Sequence, residues 1–265
     1  MRSMTTVTLI LAALAAVCAA QEQSPPPLPE MKPVEILTQA KSALAGSGTI
    51  RARLVLTATY PMEYTSEIDI YSSPTGNERA EITSTQHESR YSALEVISEG
   101  ILWTEQETPV GKVVSKIDMR QVKRALSEET SQFAAIPILG TNLLFDLGNL
   151  AQLIAFERST SLLLDGEPYY VISGGPIDAI QSGKVTLPLG AIRYYSKARV
   201  LVRPGDFLPK RIELGDEDGK PALVLDFESI ERNVEEPAGI FDYTPPEDAE
   251  VVDRTNWAIA QFNGA

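Results

Sequence analysis

One cysteine, Cys18, and one histidine, His87, are all that 265 residues supply of those two types. Cys18 lies in an N-terminal leader, so a mature chain lacking that leader holds no disulfide and no thiol nucleophile. A lone histidine excludes His-rich metal centres, and His87 sits in the polar run 85–89 with no serine elbow near it. Walker loops and dinucleotide-binding glycine fingerprints are missing as well. Basic residues are scarce: 23 Lys and Arg stand against 36 Asp and Glu, for a net charge of −13. No basic stripe is present, which excludes nucleic acid as a partner. The same sign disfavours anionic lipid headgroups. The acidic run Asp216-Glu217-Asp218-Gly219 lacks the spacing and distal glutamate of a calcium loop and reads as a charged hairpin turn. The expectation is a protein that is not an enzyme and uses no metal or cofactor.

What is present begins with residues 1–20. Arg2 precedes an apolar run from Met4 to Val17, and Cys18-Ala19-Ala20 gives a small-x-small site before Gln21. This is the pattern of a cleavable signal peptide, and its apolar run is shorter than the ~20 residues of a membrane span. Export to the periplasm follows as an expectation, with lipid anchoring through Cys18 as the alternative. Residues 21–33 carry five prolines and read as a disordered spacer.

Past the spacer the hydrophobic period sets the elements. Val34, Leu37, Ala40 and Leu44 recur at helical spacing, and Gly46 and Gly48 end that helix. From Ile50 the period becomes two: Ile50, Ala52, Leu54, Leu56 and Ala58 alternate with more polar neighbours. Met62, Tyr64, Ile68 and Ile70 continue the pattern as an antiparallel partner. Further strands are predicted over 79–84, 93–98, 101–106 and 112–118, then a short helix over 119–126. Strands resume over 156–164 and 169–173 across Asp165-Gly166, over 198–202, and over 208–214 and 222–230. Residues 174–192 read as a long loop. Segment 133–154 is the least ordinary: Asp146 is its only charge. Leu143, Leu147, Leu150 and Ile154 share one helical face there, and a face that apolar must be covered.

Three segments carry a family resemblance. Pro74-Thr75-Gly76-Asn77-Glu78-Arg79 with Ser98-Glu99-Gly100-Ile101-Leu102-Trp103 is similar to a strand and hairpin of the LolA-like periplasmic lipoprotein carriers. Phe207-Leu208-Pro209-Lys210-Arg211-Ile212 with Asp218-Gly219-Lys220 resembles a second hairpin of that family. Phe241-Asp242-Tyr243-Thr244-Pro245-Pro246, running on to Val251-Val252-Asp253, resembles its closing segment. The resemblance covers roughly residues 34–254, leaving 255–265 as a tail. It implies a mainly β (α+β) fold: an incomplete antiparallel β-barrel whose open side is covered by helices.

The resemblance also implies a function. The protein would shield acyl chains of lipoproteins or lipids in a hydrophobic cavity during transfer to the outer membrane, as a monomer serving inner- and outer-membrane sorting machinery. A non-transporting envelope sensor or scaffold of the same fold is the alternative. Leu54, Leu56, Ile68, Trp103, Leu143, Leu147 and Leu150 would line the cavity and its lid. Arg79 would hold the lid through hydrogen bonds to its carbonyls.

Overall fold

The computed structural model describes residues 27–45, 47–59, 62–108, 111–125, 150–151, 153–177 and 195–262. The leader with Cys18, most of segment 133–154 including Leu143 and Leu147, and most of loop 174–192 lie outside the described residues.

Helix α1 (Pro33–Ala45) comes first. Six strands follow: β1 (Ile50–Ala58), β2 (Tyr64–Ser72), β3 (Glu78–Gln86), β4 (Ser89–Ser98), β5 (Ile101–Thr108) and β6 (Gly111–Asp118). After α2 (Met119–Ala125) come β7 (Ile154–Leu164), β8 (Glu167–Pro176), β9 (Lys197–Val202), β10 (Pro209–Gly215) and β11 (Pro221–Arg232). A short β12 (Val251–Asp253) and α3 (Thr255–Phe262) close the chain's described part. All twelve strands form one sheet, in the order β12-β6-β5-β4-β3-β2-β1-β11-β10-β9-β8-β7. Its two ends do not pair with each other, so the barrel is unclosed. Pairing is antiparallel except where β12 runs parallel to β6. This is the incomplete antiparallel barrel that the family resemblance implies.

Local chemistry accounts for the hairpins. Asp165 and Gly166 both adopt positive φ, 53° and 82°, the requirement of the two-residue turn whose twist matches its strands. At the foot of α2, Asp118 Oδ1 accepts from the backbone N–H groups of Arg120 (3.0 Å) and Gln121 (3.1 Å), which satisfies donors that a helix start leaves unpaired. Asp118→Ala is expected to cost about 1 kcal/mol, read as a lowered urea midpoint with an unchanged m-value.

One face of the sheet holds the main core. Residues directly opposite across a strand pair share a face, so the register traces it. Leu54 faces Ile68 on β2 and Phe227 on β11, and Ile68 faces Ile82 on β3. On the other side, Ile212 faces Leu225 and Val200, and Val200 faces Ile172. These residues join one apolar cluster, into which α1 sends Ile36 and Ala40. A second, smaller cluster lies on the same face at β5–β6, where Leu102 and Ile117 pack with Val122 of α2 and Ala258 of α3. Helices thus cover this inner face at two places.

Two segments differ from expectation. Residues 255–262, read as a tail, form α3 within the second cluster. Leu28 and Met31, read as disordered spacer, pack against the main cluster, and Ser159 Oγ donates to the Met31 carbonyl. Both segments bring apolar side chains into clusters on the sheet, and that burial outweighs their proline-rich or short character.

Candidate ligand-binding face

The inner face is apolar over most of its width. Every inward position of β1, from Ile50 to Ala58, is buried and apolar. Leu54, Leu56, Ile68 and Leu150 all lie in the main cluster, so the structure brings these four predicted residues together. Such a face, once uncovered, is suited to aliphatic chains, because each buried methylene is worth about 0.8 kcal/mol.

Trp103 and Arg79 are not brought to that face. Arg79 pairs with Val96, and Val96 pairs with Trp103. All three therefore occupy the outer face, one residue out of phase with Glu78, Ile97 and Leu102. Trp103 packs there against Tyr243, with ring centroids 5.6 Å apart. The Tyr243 hydroxyl donates to Glu105 Oε2 at 2.9 Å, and burial together with the Glu105 charge pushes the phenol up to about 12. Arg79 instead clasps Glu81, with Nε and Nη2 donating to Oε1 at 3.0 and 2.9 Å. A guanidinium on the outer face bonded to its own strand points away from the main apolar cluster, and Leu143 and Leu147 of the expected lid lie outside the described residues.

Where the resemblance pointed to Arg79, the inner face carries Glu78. It is 3 % exposed, and Glu95 on the next strand is 9 % exposed. Glu78 pairs with Ile97 and Ala80 with Glu95, which makes the two carboxyls diagonal neighbours on one face. Glu95 Oε2 is buried without a hydrogen bond. Burial, reinforced by the Glu78 charge, raises the Glu95 carboxyl to about 8. Two further inner-face groups shift for the same reason: burial raises the phenols of Tyr64 and Tyr195.

The outer face is different in kind. A groove of about 580 Å³ there is lined by Arg158, Ser173, Lys197, Arg199 and Glu213 among others, with Arg199 Nη1 donating to Glu213 Oε2 at 3.0 Å. The charged side chains in its wall do not suit an acyl chain. Among the described residues no group of three or more metal-ligating side chains occurs, and no helix is long and apolar enough to cross a membrane.

No protein-family model and no curated protein matches the chain. Among solved structures, an uncharacterised conserved protein from Thermus thermophilus is 16 % identical, with a TM-score of 0.52 over 83 % of this chain and 98 % of the other. That likeness shows a shared fold. A LolA superfamily protein from Nitrosomonas europaea is 15 % identical over 81 % of this chain and 99 % of its own, with a TM-score of 0.35. MucB from the Pseudomonas aeruginosa MucA/MucB complex is 13 % identical over 79 % of this chain and 60 % of that one, with a TM-score of 0.42.

Proposed function

We propose that the protein is an exported binding protein that shields acyl chains, of lipoproteins or of free lipids, on the inner face of its open barrel, and that it carries them towards the outer membrane. The observation that supports this reading most directly is the run of inward apolar side chains from β3 across β1 to β8, covered by a helix rather than by a second sheet. A helix can move off such a face without breaking strand pairing, and its place can be taken by hydrocarbon at little net cost in apolar burial. The leader predicted over residues 1–20 supports export, and cleavage after Ala20 would release a free carrier.

Native mass spectrometry of the protein purified from the periplasm, with lipid extraction alongside, tests the reading. Retained lipid or acylated peptide is the expected result. Ile82, which packs at the edge of the main cluster on the inner face, supplies the variant: Ile82→Glu is expected to lower lipid occupancy severalfold with an unchanged circular dichroism spectrum. A mass that stays free of ligand when phospholipids and acylated peptides are offered would sink the proposal.

One observation favours the envelope-scaffold reading. Strand β7, 11 residues long, ends the sheet, and one of its backbone edges pairs with no strand among the described residues. Such edges accept an added strand from a partner.

A further inference from the structure

The outer-face groove has a floor and walls of different character. Across the sheet run Arg158 of β7, Ser173 of β8, Arg199 of β9 and Glu213 of β10, each directly opposite the next. Two residues along its strand from each, β8 presents Gly175 and β9 presents Lys197 to the same side. Serine and glycine therefore form the floor between cationic walls, and the space of about 580 Å³ above them is left unfilled by side chains.

The charges in the wall do not cancel. Arg199 Nη1 donates to Glu213 Oε2 at 3.0 Å, and Arg211 stands 3.9 Å from the other Glu213 oxygen, so Glu213 is answered twice. Arg158 and Lys197 form no ion pair among the described residues, either with Glu157 in the same wall or with the neighbouring acidic turn 216–218. Two exposed, unpaired cations thus flank the floor of one cavity in a chain whose net charge is −13. Ser196, also part of the wall, has a buried Oγ with no hydrogen-bond partner, a condition that disfavours the fold unless something bonds the hydroxyl.

We propose that this groove binds a phosphate monoester, its phosphate lying over Ser173 between Arg158, Arg199 and Lys197. The spacing fits a compact anion. Arg158 and Arg199 lie two strand spacings apart, about 10 Å, and Lys197 lies about 7 Å from Arg199 along β9. Side chains converging from those positions meet over the small Ser173. A monoester carries a charge of about −1.5 to −2 at neutral pH and three acceptor oxygens, which matches two unpaired cations and the spare donors of Arg199. A carboxylate brings one charge and two oxygens, and a neutral compound leaves the cations unanswered. The volume exceeds that of phosphate alone and lies within the roughly 300–1,000 Å³ of small-molecule sites, so the organic part enters as well. Glu157 accepts hydroxyl donors there, which suits a polyol rather than hydrocarbon. A free ester and the head group of a phosphatidate present the same chemistry. The groove lies on the opposite face from the main apolar cluster, so the inference does not depend on acyl binding.

The test is calorimetric titration of the full mature protein with glycerol 3-phosphate, glycerate and glycerol at neutral pH and about 0.15 M salt. Glycerol 3-phosphate is expected to bind at least about tenfold more tightly than glycerate, with glycerol weakest. The double variant Arg158→Gln, Lys197→Gln is expected to lower that affinity about tenfold or more. Ser173→Asp keeps all three cations, sets a carboxylate between them, and is expected to do the same. Arg53→Gln removes a charge from β1, where Arg53 pairs with Glu67 and Glu228 away from the groove, and is expected to leave the affinity unchanged. Co-sedimentation with phosphatidylcholine vesicles, with and without phosphatidic acid, separates the two sources. Binding that requires phosphatidic acid and is lost in the double variant assigns the site to a lipid head group. Binding of glycerol 3-phosphate without it assigns the site to a free ester. Glycerate binding as tightly as glycerol 3-phosphate overturns the phosphate class. Failure of both phosphate-bearing probes, or a phosphate preference that survives in the double variant, overturns the site and leaves the acyl-binding reading standing.

Discussion

Glu95→Gln is expected to stabilise the folded protein by about 3 kcal/mol at pH 7 and to leave it unchanged near pH 4. The carboxyl is 9 % exposed, and burial, with Glu78 beside it, raises it from an ordinary value of 4.5 to about 8. The folded chain therefore holds a proton that the unfolded chain gives up between those values. Stability linked to this group is intact below pH 4.5 and declines by about 1.4 kcal/mol per unit as pH rises towards 8. Glutamine has the same shape and no charge to desolvate, so the variant escapes the decline. Other carboxylates oppose it at the acid end. Glu105 is held below its usual range first by the Lys112 ammonium at 2.6 Å, and Asp253 first by the Thr255 hydroxyl. Their contribution is present at neutral pH and is lost on acidification through their lowered values. The wild-type maximum should accordingly fall near pH 5. Urea unfolding of both proteins from pH 4 to 8.5 measures the difference directly, and two parallel stability curves would show that Glu95 is not buried as a charge-sensitive group.

The strands were legible because period-two alternation fixes a face wherever only one face is buried. In β1 the pattern Ile50, Ala52, Leu54, Leu56, Ala58 is the buried set itself. It stopped being informative in β4 and β5. There Tyr243 packs on the outer face, so Trp103 finds a partner on one side while Ile97 and Leu102 find theirs on the other. A strand with apolar neighbours on both faces reads as apolar throughout, and nothing in Ala93-Leu94-Glu95-Val96-Ile97 says which way Glu95 points. Counting phase from β2 could have settled it. Ile68 and Ile70 face inward, their partners Ile82 and Ala80 do too, and Glu78 must follow. The resemblance drew attention to Arg79, one residue out of phase. Helix α3 escaped for another reason: eight residues with a weakly amphipathic pattern look like a frayed end, and their signal was Asp253, whose Oδ1 accepts from the Thr255 N–H at 2.9 Å.

Gly174→Ala is expected to destabilise the protein by about 3 kcal/mol, a fall of roughly 9 °C in melting midpoint for a chain of this size. The register between β7 and β8 shifts at Phe156/Arg158, and this bulge carries the β7 backbone onto β8. A Cβ at Gly174 would lie 1.9 Å from the Ala155 carbonyl oxygen and 2.8 Å from the Phe156 Cα. Those are backbone atoms, so no side-chain rotation relieves the clash, and the two strands must part where Phe156 and Ile172 meet the main cluster. Gly205→Ala is the control. A Cβ there meets nothing within 4 Å, and the smaller entropy of its unfolded chain should leave it neutral or slightly more stable. Melting of both variants within about 2 °C of each other would mean that the β7–β8 bulge yields freely. A yielding bulge would place the mobile boundary of the barrel at its β7 edge, and the inner face would then open by strand movement rather than by displacement of α1.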